Sequence, residues 1–153
     1  MSYSSIKTLQ INLNRSAAAT ESALDLAIEL KVDIIAVQEP WVFPNPDGNY
    51  TTTRSVIHQG FVQILPFHGS LRPRTLFYIS KALSFINIAK ESPQDPDCLI
   101  IDINNGNSKI QVINIYNKKD LNGTSIYTIN RGLLPSPLYQ HSIILGDFNT
   151  HHP

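Results

Sequence analysis

Hydrophobic and polar positions alternate with two different periods in the first third of the chain. From Ile6 to Leu13 the apolar residues Ile6, Leu9, Ile11 and Leu13 mostly alternate with polar ones, the two-residue period of a half-buried strand. From Ser16 to Lys31 the period lengthens. Ala19, Ala23, Leu26, Ala27 and Leu30 fall on one helical face, while Glu21, Asp25 and Glu29 recur on another. Val32 to Gln38 (VDIIAVQ) is then a short apolar run rich in β-branched residues, the composition of a buried strand. Strand, helix and strand in succession predict a parallel pair, because only a crossover of this kind returns the chain to run in the same direction.

Pro40 to Gly60 carries Pro40, Pro44, Pro46 and Gly48 and reads as a loop starting directly after Glu39. Five further strands are predicted: Phe61 to Leu65, Thr75 to Ile79, Leu83 to Ile88, Leu99 to Ile103, and Ile110 to Tyr116. Asn104-Asn105-Gly106-Asn107 between the last two is a hairpin signal. Asn117 to Gly123 is a polar loop, Ser125 to Leu133 a short predicted helix, and Ser142 to Leu145 a strand leading into Gly146-Asp147-Phe148-Asn149. There is no repeat and no low-complexity tract.

Composition narrows the class. The 153 residues fit one domain, and 42% apolar with 16% charged residues is the balance of a folded chain. Net charge is zero, so bulk charge lends no support to a nucleic-acid partner, although a local cluster can suffice. The charge is unevenly spread. Val32 to Thr53 contains Asp33, Glu39 and Asp47 without a Lys or Arg, whereas Arg72, Arg74, Lys81, Lys118 and Lys119 follow. A carboxylate-rich centre rimmed by cations suits a metal ion with a phosphate substrate; ordinary scatter of surface charge accounts for it equally well. Cys98 is the only cysteine and sits in an apolar run, which predicts an inert buried thiol and suits a reducing compartment. No secretory signal and no stretch of membrane-spanning length is visible.

Polar residues stand where predicted strands end: Asn12 and Asn14, Glu39, Tyr116, and Asp147 with Asn149. Strand ends held by a scaffold are where α/β folds carry function. Taken singly, each has an ordinary structural explanation: an edge-pairing amide, a turn cap, a core aromatic with a wet hydroxyl, an Asx-turn. His151 and His152 are adjacent, so on an extended chain they point apart, and a solvated loop accounts for them better than a metal site. His58, His68 and His141 lack ligand-like spacing.

In order and setting together, these residues resemble the endonuclease/exonuclease/phosphatase superfamily. The likeness is carried by Leu9-Gln10-Ile11-Asn12-Leu13-Asn14, Val37-Gln38-Glu39-Pro40, Ile113-Asn114-Ile115-Tyr116 and Leu145-Gly146-Asp147-Phe148-Asn149. The fuller strings LQINLN, QEPW and GDFNTHHP look most like endonuclease domains of LINE-type (non-LTR) retrotransposons. The resemblance implies an α/β fold of sandwich type with two sheets packed face to face. Residues 1–153 would be the N-terminal portion of one such domain, carrying the first sheet and the opening strand of the second.

The resemblance also implies roles. Glu39 would be the main ligand of Mg2+ (or Mn2+), with Asn12 and Asn14 beside it, since magnesium takes oxygen ligands and keeps several waters. Asn14 stands where some members carry an Asp, so that charge is absent. Asp147 would orient or deprotonate the attacking water, Asn149 would fix geometry, Tyr116 would donate to the phosphate, and Asn12 would line the same site. The partner would be DNA, nicked inside the cell and in the nucleus if the source is a eukaryotic retroelement. In the family, further strands and a closing Asp-His pair follow the GDFN segment, and no counterpart occurs by Pro153. The expectation is therefore weak or absent cleavage. A catalytically inactive binding module or relic is an alternative, and a phosphatase of small phosphate esters is another.

Overall fold

The computed structural model describes residues 5–66, 69–83, 86–90, 92–105, 107–117, 134–135 and 141–148. The helix expected over Ser125 to Leu133, together with His68, Lys118, Lys119, Asn149, His151 and His152, lies outside the described residues.

The chain opens with strand β1 (Thr8–Asn12), helix α1 (Ala17–Glu29) and strand β2 (Ile34–Gln38). As the pattern predicts, β1 and β2 pair in parallel, with Asn12 opposite Gln38 at their shared C-terminal end. Ser16 starts the helix: its backbone is extended and its hydroxyl accepts from Ala19 N, satisfying one of the amides a helix N-terminus leaves unpaired. The buried face of α1 is turned from the expected one. Thr20, Ala23, Leu24 and Ala27 are buried, whereas Leu26 and Leu30 are 45% and 50% exposed. Small residues allow close approach to the sheet, and Thr20 can be buried because its hydroxyl donates to Ser16 O at 2.7 Å.

Strands β3 (Phe61–Ile64) and β4 (Thr75–Ser80) complete a four-stranded sheet in the order β1-β2-β4-β3. Strands β5 (Ile86–Ile88), β6 (Cys98–Asn105), β7 (Ser108–Tyr116) and β8 (Ser142–Asp147) form a second four-stranded sheet in that order. The expectation of a first sheet plus only the opening strand of the second is thus corrected. The sandwich class stands, but four strands already belong to the second sheet. Strand periodicity says which residues share a face and nothing about which sheet a strand joins; that is set by pairing partners far apart in sequence. The β6–β7 hairpin forms where the Asn-Gly signal stands, with Asn105 opposite Ser108.

Three apolar layers result. Between α1 and the first sheet lie Leu24, Ala27, Ile35, Val37 and Leu76. Between the sheets lie Ile34, Ala36, Phe77 and Ile79 against Leu99, Ile101, Ile103 and Val112. The outer face of the second sheet gathers Cys98, Ile100, Ile113 and Ile115, with Leu134 and Phe148 against them. Every residue of β2 is buried, which explains its unbroken apolar run: one face meets the helix and the other meets the second sheet. The Cys98 thiol is buried and outside any disulfide, as expected. No helix among the described residues is long and apolar enough to cross a membrane.

One polar thread crosses the inter-sheet core. Gln10 donates to Gln38, Gln38 donates to Asn114 Oδ1 at 2.6 Å, and Asn114 Nδ2 donates to Val37 O and Leu76 O, both at 3.0 Å. Gln38 and Asn114 are fully buried, and a satisfied buried amide pair of this kind fixes how the two sheets sit on each other.

Candidate active site

The C-terminal ends of the two parallel strand pairs meet at one end of the sandwich. From the first sheet come Asn12, at the end of β1, and Glu39, one residue beyond β2. From the second come Tyr116 and Asp147, register partners at the ends of β7 and β8. Asn12 Nδ2 donates to Asp147 Oδ2 at 2.8 Å, and the Tyr116 hydroxyl donates to Glu39 Oε1 at 3.2 Å. Four of the five residues expected to converge are therefore joined in pairs across the two sheets. The fifth, Asn149, lies outside the described residues.

The local backbone explains this placement. Asn12 Oδ1 accepts from Asn14 N at 2.8 Å, turning the chain sharply out of β1, and Asn14 and Arg15 both take left-handed conformations with φ of 47° and 58°. Arg15 N then donates to Glu39 O at 2.8 Å, tying that turn to the end of β2. Glu39 is left-handed as well, with φ of 49°. For a residue with a Cβ this costs about 1–2 kcal/mol, and it persists because both ends of the residue are gripped: Glu39 N donates to Arg74 O at 2.9 Å while its carbonyl accepts from Arg15. Strained backbone at a polar cluster is a feature of functional sites. Asn14 reaches this turn through its backbone and is exposed.

Tyr116 is held protonated. Its phenol is raised above the ordinary value of 10.0 first by burial, then by the Glu39 charge and by the hydrogen bond it donates there, with Asp147 adding and Arg74 opposing. It is a hydrogen-bond donor at neutral pH. Arg15 Nη2 stands 3.9 Å from Glu39 Oε1 with its side chain 54% exposed, a loose surface pair that leaves its charge available to an incoming anion.

The sequence pattern does not single out Arg15, and only its position next to Asn14 points to this end of the fold. Arg74, read there as part of a basic rim, instead turns inward to pair with Asp97. His58 serves structure, accepting from Gly60 N and packing on Phe61.

Among the described residues no group of three or more His, Cys, Asp or Glu side chains gathers to hold a metal. The donors at Glu39 nevertheless fit a hard divalent cation. Its side chain is 18% exposed, Oε2 carries no hydrogen bond among the described residues, and Asn12 Oδ1, at the end of the neighbouring strand, accepts from Asn14 N and retains a second lone pair. An all-oxygen set with a single carboxylate suits an ion that keeps most of its waters.

The two face-packed sheets, with α1 packed on the outer face of the first, have the fold of the endonuclease/exonuclease/phosphatase class. Among solved structures the chain is similar to the endonuclease domain of TRAS1, a telomere-specific non-LTR retrotransposon, with a TM-score of 0.56 and 17% identity over 76% of this chain and 46% of that one. Humanized D. rerio TDP2 carrying 14 mutations also matches, with a TM-score of 0.44 and 8% identity over 76% of this chain and 49% of that one. The chain thus spans about half the length of each of these structures. No family model matches the sequence, and no curated protein matches it.

Proposed function

We propose that the chain is the N-terminal portion of a metal-dependent phosphodiester-cleaving domain, of the DNA-nicking kind found in retroelements. One observation carries this: Glu39 and Tyr116, and Asn12 and Asp147, are drawn from different sheets into two hydrogen-bonded pairs at one end of the fold. The TRAS1 domain, an endonuclease with this fold, supports the same reading.

The chain's own residues divide the work. Glu39, with Asn12 and Asn14 beside it, would hold Mg2+ or Mn2+. Such an ion, when bound, polarises a phosphate and offsets the charge developing on it. Tyr116, kept protonated, gives its hydroxyl hydrogen to a phosphate oxygen in place of Glu39 Oε1. Asp147 accepts a proton from, or orients, the attacking water, and Asn12 holds that carboxylate in place through its amide. Asn149 is assigned a geometric role next to Asp147 on the resemblance alone. Arg15 supplies a mobile positive charge at the rim for a phosphate backbone.

Calorimetric titration with Mg2+ and with Mn2+ tests the centre. The wild type is expected to bind either ion weakly, and Glu39→Gln to lose that binding; equal affinity in both would sink the site. A plasmid-nicking assay tests the activity. Metal-dependent nicking abolished in Asp147→Ala is expected, whereas nicking that survives the substitution would mean that Asp147 is not the proton acceptor.

A further inference from the structure

Arg74 and Asp97 occupy corresponding positions in the two sheets. Arg74 immediately precedes β4 of the first sheet, and Asp97 immediately precedes β6 of the second. Their side chains meet between the sheets in a two-point ion pair, Arg74 Nε to Asp97 Oδ1 and Nη2 to Oδ2, the second at 2.7 Å. The Asp97 side chain is 1% exposed and that of Arg74 20%, so the acid is buried and the base partly so. The backbone runs parallel to it, with Arg74 N donating to Pro96 O at 2.8 Å.

The backbone carbonyls of these two residues each hold one member of the site. Arg74 O accepts from Glu39 N at 2.9 Å, and Asp97 O accepts from Tyr116 N at 2.8 Å. The Arg74 guanidinium also lies 5.8 Å from the centre of the Tyr116 ring. The same two residues that tie the sheets together therefore carry the amides of the carboxylate and the phenol that meet across them.

We infer that the Arg74–Asp97 ion pair is a positioning clamp that sets Tyr116 against Glu39, and through them the geometry of the cation and phosphate site. Both are positioning residues: neither reaches a reacting atom. The inference rests on the function proposed for Glu39 and Tyr116, and it extends that function to a pair of opposite charges that neither sheet could use alone. Burying a charge pair adds little net stability over apolar side chains of like size, so its two-point geometry is the property with consequences at the site.

The full-length chain is labelled with 13C at the tyrosine rings, and the Tyr116 signal is assigned by its absence in Tyr116→Phe. In the wild type, Glu39→Gln shifts this signal, because the phenol touches the carboxylate. The clamp is then replaced by an apolar pair, Arg74→Met with Asp97→Leu, which preserves packing. In that background the shift on Glu39→Gln is expected to fall at least roughly twofold, the loss of coupling expected when two contacting groups move apart. Mn2+ affinity measured by calorimetry is expected to fall about tenfold or more, as when a group orienting a metal ligand is removed. A pair serving only to hold the fold would change the melting temperature and leave both readouts at wild-type size, and that result overturns the inference. Should the double variant not fold, the same readouts in Arg74→Lys decide, since lysine keeps the charge and loses the planar two-point contact. A wild type that binds no Mn2+ counts against the proposed function, while the ring-signal arm still decides the clamp.

Discussion

The two parallel strand pairs that build the site achieve the same result with different support. The β1–β2 pair is joined by α1, and β2 is buried along its whole length between helix and second sheet. The β7–β8 pair is less enclosed: among the described residues β8 is the last strand of its sheet, and although Leu145 packs between the sheets, Ile143 and Ile144 are 46% and 36% exposed. Glu39 therefore rests on a strand enclosed from both faces, and Asp147 on one held mainly by its neighbour. The contrast teaches that a site assembled from two sheets is only as fixed as the less enclosed strand, and that contacts across the sheets, such as Asn12 to Asp147, compensate on that side.

Gly146 offers the strongest way to break the contrast. It lies opposite Ile115 in the β7–β8 ladder, where a Cβ would overlap the Ile115 carbonyl oxygen and stand 2.7 Å from Ile115 Cγ2. Gly146→Ala is expected to cost about 1–3 kcal/mol, the usual penalty for overpacking. Denaturant unfolding measures the loss, and hydrogen exchange should quicken in β8 while the β1–β2 amides stay protected. Equal loss of protection in both pairs would show that they are not independently supported.

Ser16 tests the other side. Ser16→Ala removes the α1 cap and is expected to cost about 1 kcal/mol, with faster exchange confined to the first turns of the helix. The effect on the Tyr116–Glu39 contact should be small, because β2 is held on its opposite face by the second sheet.

The smallest expected effect is electrostatic and joins the two halves. Since the Tyr116 phenol is raised above 10.0 in the folded state, the unfolded chain loses that proton first as pH climbs. The corresponding stability is present below the ordinary phenol value and is lost as pH rises through the folded one. Ultraviolet titration of the wild type against Tyr116→Phe isolates this group. Glu39→Gln should move it back toward its ordinary value, leaving burial as the main remaining cause; an unmoved titration would mean that the carboxylate does not face the phenol in solution.

Much of this was legible in the chain. The change of period between Leu13 and Ser16 and the apolar run to Gln38 place the opening strand, helix and strand correctly, and the strand ends carry the residues that meet. What was not legible depends on partners distant in sequence. Leu26 and Leu30 fit a helical face as well as Thr20 and Leu24 do, and only the sheet beneath α1 selects between them. The membership of β6 and β7 in the second sheet rests on pairings and packing that alternation does not encode. Arg74 reads as a surface cation until Asp97, 23 residues further on, is seen to pair with it.

The left-handed backbone at Glu39 has an evolutionary consequence. Asparagine and glycine occupy that conformation more readily than glutamate, so the wild-type residue holds the chain below the stability its scaffold could reach. Glu39→Asn is expected to melt at or above the wild-type temperature even as cation binding disappears; a clearly lower melting temperature would show that the carboxylate contributes more to folding than its backbone costs. If the expectation holds, drift in any lineage released from selection for the carboxylate would favour its replacement, and position 39 would record the loss of activity well before the apolar layers around it began to decay.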